Sequence, residues 1–246
     1  MNKITQAFFA VAATVALVSC NDSSTAPKSS GRSSSVSVLS SSVAGSSSAA
    51  VSSSVTQVLS SSSTCTNTPG SSMLTDCRDG QTYKTVVIGT QTWMAQNLDY
   101  TPTSGNSWCF ANNCTTYGRL YDYATALTVC PTGWHLPDTT EWDTLEATVG
   151  GETTAGTKLK AVSGWDNTYV TYIPGTDNFG FSALPGGCYV ASTFVNVSDF
   201  GQWWTATANG SSAAWARFMV YRDASVIPSS NSQTYGFSVR CLKDTP

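Results

Sequence analysis

The sequence is poor in charged residues and contains a single histidine. Charged side chains make up 11% of the chain, and the formal net charge is −3 at pH 7. No lysine or arginine cluster stands out, so the chain lacks the electrostatic footprint of a nucleic-acid-binding protein or of a lipid-headgroup patch. A zinc site of the usual type is also unexpected, because no CxxC motif occurs and His135 stands alone. We therefore expect no metal, no cofactor and no nucleic-acid partner.

Long apolar runs are also missing, apart from one at residues 7–18 that is too short to span a bilayer. It follows Lys3 and ends at Leu17-Val18-Ser19-Cys20, a pattern typical of a lipoprotein signal peptide. We predict a signal peptide at residues 1–19 and a lipid on Cys20, which would anchor the protein in the cell envelope, at the outer membrane or cell surface. An ordinary signal peptide whose cleavage discards Cys20 is the alternative.

Aromatic residues are absent from residues 21–64, where nearly half of the positions are serine. Such a segment has too little apolar surface to offset the entropy lost when its backbone is ordered. We predict that residues 20–64, which begin with the lipidated Cys20, form a disordered linker whose hydroxyls would permit O-glycosylation. All eight tryptophans and all ten tyrosines follow this segment, which predicts one globular domain at residues 65–246.

The cysteines predict disulfides, because an exported chain meets an oxidising compartment. Setting Cys20 aside from the eight cysteines leaves an odd number, so one thiol should remain. Two local bridges are expected because each pair brackets a loop or turn, namely Cys109–Cys114 and Cys65–Cys77. The residues alone leave three cysteines for one further bridge without deciding the pair: Cys130, Cys188 and Cys241.

The pattern of the domain predicts strands, then helices, then a half made of short strands and loops. Residues 81–88 and 91–98 are rich in β-branched and aromatic residues, which predicts a hairpin. A helical stripe marks residues 119–128, and a second helix is predicted between a cap at Asp138 and a stop at Gly150-Gly151. Later segments, predicted as strands or ordered loops, lie at residues 179–184, 201–207, 213–221 and 234–242. This order indicates an α+β fold with an antiparallel sheet.

Several sequence blocks occur in an order that carries a resemblance. DGQTYKTV begins at Asp79, QTWMAQNL at Gln91 and CPTGWHLP at Cys130. The later blocks are TKLK from Thr157, GFSALPGG from Gly180, WWTAT from Trp203 and YGFSVRC from Tyr235. Together they resemble the Fibrobacter succinogenes major paralogous domain over about residues 77–242. The resemblance implies an exported protein and does not imply a particular activity.

A wider likeness concerns the fold. His135-Leu136-Pro137 followed by Glu141-Trp142, with Gly236-Phe237 and Arg240 near the end, is similar to the formylglycine-generating enzyme superfamily, whose fold resembles the C-type lectin domain. In lectin-type domains a cysteine near the middle bridges the last strand, so the resemblance implies the pair Cys130–Cys241. Cys188 is then the expected free thiol.

No constellation of residues predicts catalysis. Gly180-Phe181-Ser182 lacks the second glycine of a nucleophile elbow, and His135 is expected to be a hydrogen-bonded structural residue at the entry to the second helix. Formylglycine chemistry in the resembling enzymes uses a close cysteine pair near the C-terminus, where this chain has only Cys241. The loop carboxylates are scattered and the lectin calcium motifs are absent, which argues against a glycosidase pair and a calcium site.

The remaining functional signal is aromatic. In the strand at residues 213–221, one face carries large amphipathic side chains of the kind enriched at binding hot spots: Trp215, Arg217, Met219 and Tyr221. We predict that this face binds ligand, and that the protein is an envelope lipoprotein with a binding or adhesion module that recognises glycan or protein through its loop-rich C-terminal half. A divergent secreted enzyme of the formylglycine-generating superfamily and a structural envelope protein are the alternatives.

Overall fold

The computed structural model describes residues 71–245 of the chain. Four predictions therefore lie outside the described residues: the signal peptide at 1–19, the lipid on Cys20, the serine-rich linker at 20–64 and the start of the domain at residue 65. The predicted bridge from Cys65 to Cys77 is described at one end only. Within the described residues, no helix is long and apolar enough to cross a membrane.

Residues 71–245 form thirteen strands and four α-helices. The strands are β1 (Met73–Thr75), β2 (Thr82–Ile88), β3 (Gln91–Met94), β4 (Ser107–Trp108), β5 (Leu120–Tyr121), β6 (Trp134–His135), β7 (Cys188–Val190), β8 (Thr193–Val195), β9 (Phe200–Asn209), β10 (Ala213–Val220), β11 (Ile227–Ser232), β12 (Phe237–Ser238) and β13 (Leu242–Lys243). The helices are α1 (Cys114–Tyr117), α2 (Tyr123–Ala126), α3 (Thr139–Thr148) and α4 (Glu152–Leu159), and a short 3-10 turn occupies Phe110–Asn112.

Two larger sheets and one hairpin organise these strands. The first sheet has the order β1-β2-β3-β13-β6, the second has the order β11-β10-β9-β12-β5-β4, and β7 pairs with β8 alone. Every pairing between strands is antiparallel except that of β12 with β9. The predicted α+β fold with antiparallel sheets is therefore confirmed.

The first hairpin and the capped helix lie where the sequence predicts them. Strands β2 and β3 meet through a turn in which Gly89 adopts φ 61°, a left-handed backbone that favours glycine. Helix α3 begins after Asp138, whose carboxylate accepts a hydrogen bond from the Glu141 N–H, while the Glu141 carboxylate accepts one from the Asp138 N–H. This reciprocal pair is a complete capping box, and it fixes the start of the helix.

The first predicted helix is shorter than its sequence pattern indicates. Of residues 119–128, the first part forms strand β5, and the Asp122 side chain then caps the single turn of α2 by accepting from the Thr125 N–H. Residues 179–184 are not a strand, since Ala183 makes only an isolated bridge with Lys160. Leu120 and Tyr123 of the predicted stripe are buried in β5 and α2, but Leu127 is exposed, so the three residues do not form one buried helical face.

An aromatic core fills the space between the sheets and α3. The ring centroid of Trp142 lies 5.1 Å from that of Trp93, 5.9 Å from that of Phe181 and 6.2 Å from that of Trp203. All four side chains are fully buried. Aromatic pairs of this kind contribute about 0.5–1.5 kcal/mol each beyond the burial of their area, so the cluster is a main source of stability.

A buried polar hub lies beside this core and is centred on Asn97 and Arg240. The Asn97 side-chain oxygen accepts from the Trp203 indole N–H and from Arg240 Nε, both at 2.9 Å. The other guanidinium nitrogens of Arg240 donate to the Phe181 and Ser182 carbonyls. Burial lowers the pKa of Arg240 to about 9, so its guanidinium stays charged at neutral pH. Four of the sequence blocks meet at this hub, because each contributes at least one of its members.

Two of the predicted disulfides are confirmed and one cysteine prediction is wrong. Cys109–Cys114 and Cys130–Cys241 are both bridged, the second across a sequence separation of 111 residues. Cys188 is fully buried at the start of β7 and is disulfide-bonded, so it is not the predicted free thiol. The odd count on which that prediction rested does not determine which cysteine is left over. Cys77 is also disulfide-bonded, and its pairing with Cys65 stays a prediction.

Candidate functional site

The strand face predicted to bind ligand lies mostly inside the domain. Of its four side chains, Arg217, Met219 and Tyr221 are buried and only Trp215 is half-buried. The smaller residues on the other face of β10 are buried as well, including Ala216. The alternation of large and small residues is typical of a half-exposed strand, but β10 is an inner strand of its sheet, between β9 and β11, and is covered on both faces. The prediction of an exposed face is therefore wrong for three of the four residues.

The buried Arg217 side chain pairs with two carboxylates of helix α3, the buried Glu146 and the exposed Asp143. Its Nε donates to Glu146 at 2.9 Å and its Nη2 donates to Asp143 at 2.5 Å. Burial raises the pKa of Glu146 to about 7, although the neighbouring Arg217 lowers it. The network joins α3 to the second sheet, so Arg217 has a structural role.

A surface feature of a different kind is formed by four half-buried aromatic rings, which we name the aromatic cluster: Trp108, Phe110, Tyr189 and Phe194. The Trp108 and Tyr189 rings are stacked, with centroids 4.3 Å apart and planes 20° apart. The Phe194 ring meets Tyr189 edge-on at 5.0 Å, and the Phe110 ring meets Phe194 edge-on at 5.5 Å. The cluster thus joins β4, the 3-10 turn and the β7–β8 hairpin.

The backbone beneath the aromatic cluster requires a glycine. A Cβ atom at Gly236 would lie 2.7 Å from the Trp108 ring and 3.0 Å from Tyr189 Cβ, so only glycine lets the stack rest on this backbone. Tyr189 is held there because its N–H donates to the Gly236 carbonyl at 2.9 Å and its carbonyl accepts from the Gly236 N–H at 2.8 Å. The hairpin turn that follows uses the left-handed residues Ala191 and Ser192, as tight two-residue hairpin turns do.

The Cys109–Cys114 loop carries one member of the cluster and also borders a groove. The bridge closes the loop around the 3-10 turn, in which Ala111 and Asn112 both adopt positive φ. Phe110 extends from this loop to Phe194. Cys109, Asn112 and Cys114 line the neighbouring depression. The loop therefore lies between the aromatic cluster and that depression.

We name this depression the polar groove. It consists of two connected parts of about 290 Å³ and about 390 Å³, which share Gln81, Asp99, Cys114 and Thr115. Most of its lining side chains bear amides or hydroxyls, including Gln96, Asn97, Thr101, Thr116 and Ser182. Amide and hydroxyl groups both donate and accept hydrogen bonds, which suits a ligand rich in hydroxyl groups. The Asn97 and Ser182 side chains are already bonded within the protein, so the other polar side chains of the lining would make these contacts.

One ion pair lies in the wall of the polar groove. Arg119 Nε is 3.5 Å from Asp99 Oδ1, a distance too long for a good hydrogen bond. Although this nitrogen is buried, it has no hydrogen-bond partner among the described residues, and the guanidinium otherwise makes a long contact of 3.4 Å with the Ser107 hydroxyl. Burial raises the pKa of Asp99, although the nearby Arg119 lowers it. The pair is thus held close to the surface with unused hydrogen-bonding capacity.

His135 occupies the structural position expected for it. Its Nε2 lies 2.9 Å from Glu141 of α3, and its Nδ1 lies 2.7 Å from Asp244 in the C-terminal segment. Partial burial lowers the pKa of His135, but the hydrogen bonds to Asp244 and Glu141 raise it by more. The pKa of His135 is therefore above its ordinary value. The imidazole therefore joins the C-terminal segment to the start of α3.

No catalytic arrangement forms around Ser182. Its N–H and hydroxyl donate to the Asp177 carboxylate at 2.7 and 2.6 Å, and its backbone adopts φ 53°. A serine nucleophile of the usual kind needs a histidine base, but His135 is engaged with Glu141 and Asp244 instead. Among residues 71–245, no cluster of histidine, cysteine and carboxylate side chains could hold a metal ion.

Sequence reasoning missed the aromatic cluster. Trp108, Phe110 and Phe194 lie in short segments without periodicity, and no helix or strand pattern relates them. One signal was available: Phe110 stands inside the predicted Cys109–Cys114 loop, where a disulfide holds an aromatic side chain near the surface. The polar groove left no linear signal, because its residues come from distant parts of the chain.

The comparisons with known proteins identify a domain family. The model of the Fibrobacter succinogenes major domain matches residues 86–243. This range contains the hub, the Cys109–Cys114 loop and the β7–β8 hairpin. No curated protein and no solved structure matches the chain. The likeness of the fold to formylglycine-generating enzymes and lectin-type domains stays a prediction.

Proposed function

Since this chain belongs to the Fibrobacter succinogenes major domain family, we propose that it is a binding module of the cell envelope that recognises glycan at the aromatic cluster and the polar groove. The stack of Trp108 on Tyr189 is the observation that carries this proposal. Half-exposed rings of this kind offer large, rigid contact area at low entropic cost, and the C–H face of a sugar ring packs well against them.

The position of the site within the chain supports this proposal. The sequence blocks that carry the family resemblance form the hub and supply Trp93, Phe181 and Trp203 of the aromatic core. Trp108, Phe110 and Phe194 lie between those blocks, and Gly236 of the last block serves as the floor of the stack. A shared interior with ligand contacts on the connecting segments is typical of binding modules, because loops on a rigid scaffold carry recognition.

A glycan array tests the proposal. The full chain should bind one class of glycan, and Trp108→Ala or Tyr189→Ala should each weaken that binding by about 2 kcal/mol, which is about 30-fold. Trp215→Ala and Tyr169→Ala are matched controls, since they remove the same ring types from other parts of the surface. If the Trp215 variant loses binding and the Trp108 variant keeps it, the ligand binds at β10 and the proposed site is wrong.

We also propose that a lipid on Cys20 anchors the module at the outer membrane or cell surface. The support is the sequence Leu17-Val18-Ser19-Cys20 after a short apolar run. Exported Cys20→Ala protein should leave the membrane fraction, whereas Ser23→Ala protein should stay in it. An unmodified N-terminus in mass spectrometry of the mature protein would disprove the anchor without affecting the glycan site.

A further inference from the structure

Arg119 and Asp99 in the polar groove are built differently from an ordinary structural ion pair. Asp99 is fixed through its backbone, because its N–H donates to the Tyr83 hydroxyl at 3.1 Å and its carbonyl accepts from Gln81 at 3.0 Å. Among the described residues its carboxylate has one charged partner, Arg119, at 3.5 Å. The guanidinium of Arg119 likewise makes only long contacts, to this carboxylate and to the Ser107 hydroxyl at 3.4 Å, so both side chains are held in place by weak contacts.

Charged side chains of both signs line the polar groove. Arg119 and Lys84 supply the cations of the lining. Asp99 lines both parts of the groove, and Asp79 is near enough to raise the pKa of Asp99. Among the described lining residues, Asp99 and Arg119 form a pair of opposite charges, and Lys84 is the remaining charged side chain. A negatively charged ligand at the pair would meet Asp99 and a positively charged ligand would meet Arg119, so the pair favours neither sign.

On the basis of the proposed function, we infer that the polar groove takes a neutral saccharide and that Asp99 and Arg119 recognise adjacent hydroxyl groups on one sugar ring. A hydroxyl both donates and accepts hydrogen bonds. The Asp99 carboxylate accepts from one hydroxyl, while the guanidinium of Arg119 donates to its neighbour. Bonds to a charged partner are about twice as strong as neutral ones, so this pair determines specificity while the aromatic cluster supplies area.

The inference is tested with three hexasaccharides of equal length and different charge: a β-1,4-linked glucose hexamer, a galacturonic acid hexamer and a glucosamine hexamer. Titration calorimetry of each against the full chain should show the neutral hexamer bound most tightly. Asp99→Asn and Arg119→Gln should each weaken its binding about tenfold or more, and Arg119→Lys should recover part of the loss. Asp166→Asn and Arg222→Gln, which change the same groups elsewhere on the surface, should leave binding unchanged.

Thermal unfolding of each variant separates a lost contact from a lost fold. Asp99→Asn keeps every backbone hydrogen bond of the residue, so its melting temperature should stay close to that of the unmodified chain. Binding lost at an unchanged melting temperature supports recognition by the pair.

The possible failures are distinct. Preference for the galacturonic acid or the glucosamine hexamer overturns the inference and leaves the proposed glycan-binding function standing. The inference is also overturned, and the proposed function stands, if binding of the neutral hexamer depends on Trp108 but is unchanged in both Asp99→Asn and Arg119→Gln. If no hexamer binds and the glycan array is also blank, the proposed function itself fails.

Discussion

Arg240 in the hub and Arg119 in the polar groove hold the same chemical group in opposite ways. Arg240 is fully buried, and all of its nitrogen atoms donate to protein acceptors. Arg119 is partly exposed, and its Nε has no hydrogen-bond partner among the described residues. Arg240 belongs to a block that carries the family resemblance, whereas Arg119 lies between two such blocks. The hydrogen bonds of Arg240 to protein acceptors stabilise the fold, whereas the partly exposed guanidinium of Arg119 makes only long contacts and can exchange them for a ligand.

The two disulfides that have both cysteines among the described residues, Cys130–Cys241 and Cys109–Cys114, should differ in the same way and give the largest effect. In the chain-entropy model, loss of the long Cys130–Cys241 loop costs about 4–5 kcal/mol, whereas loss of the short Cys109–Cys114 loop costs about 2 kcal/mol. Urea unfolding of the two double-serine variants measures both free energies. The short-bridge variant should also lose glycan binding, because Phe110 is no longer held against Phe194. Equal destabilisation by both changes would contradict the division between interior and site.

Alanine at each of the two arginines tests the comparison directly. Arg240→Ala leaves the Phe181 and Ser182 carbonyls without their donors and opens a cavity, so the free energy of unfolding should fall by about 3–5 kcal/mol. Arg119→Ala breaks a partly exposed pair and should cost less than about 1 kcal/mol. Urea denaturation at neutral pH gives both values. A large cost at Arg119 would show that it is a structural residue.

The hub also explains how much the sequence could reveal. The β2–β3 hairpin, the capping box of α3 and the local Cys109–Cys114 bridge depend on residues that are close in sequence, so the sequence pattern predicted them. The Cys130–Cys241 bridge followed from family resemblance. The hydrogen bonds that join Asn97 to Trp203 and Arg240 link residues more than a hundred positions apart. No local pattern encodes such contacts.

The candidate site could not be predicted from the sequence for a related physical reason. The alternation of side chains along β10 predicted that one side of the strand faces solvent. Alternation shows which residues share a face of a strand, but it does not show whether that face is exposed. Both faces of β10 are covered. Whether Arg217 is exposed depends on where α3 packs, which is a tertiary fact. The aromatic cluster likewise exists because a glycine at position 236 lets Trp108 and Tyr189 lie on the backbone of a distant strand.

Glu146 provides a smaller test of the interior, through pH. Burial raises the pKa of Glu146 to about 7, above its ordinary value, so the folded state binds an extra proton between about pH 4.5 and 7. The stability from this group is therefore complete below that range and is lost as the pH rises through it, by about 1–3 kcal/mol. Glu146→Gln should remove this loss.

The measurement compares unfolding free energies of the Glu146→Gln variant and the unmodified chain at pH 5 and pH 8. Their difference cancels the titration of His135, whose pKa is also raised. Relative to the unmodified chain, the unfolding free energy of the Glu146→Gln variant should be higher at pH 8 than at pH 5. Parallel pH profiles for the two proteins would show that the Arg217 network keeps Glu146 ionised throughout.

The smallest expected effect is at the groove and concerns binding instead of stability. Burial raises the pKa of Asp99, so its carboxylate is protonated at a higher pH than that of an ordinary aspartate, and a protonated carboxyl is a weaker acceptor for a sugar hydroxyl. Affinity for the neutral glucose hexamer should therefore be highest at neutral pH and should fall severalfold as the pH is lowered through that pKa. The raised pKa of Tyr83 keeps its hydroxyl protonated over this range. Asp99→Asn should flatten the profile, whereas Asp79→Asn should keep the fall and move it to lower pH, because Asp79 raises the pKa of Asp99. An unmodified chain whose affinity does not change between pH 4 and pH 7 would mean that Asp99 makes no hydrogen bond to the sugar.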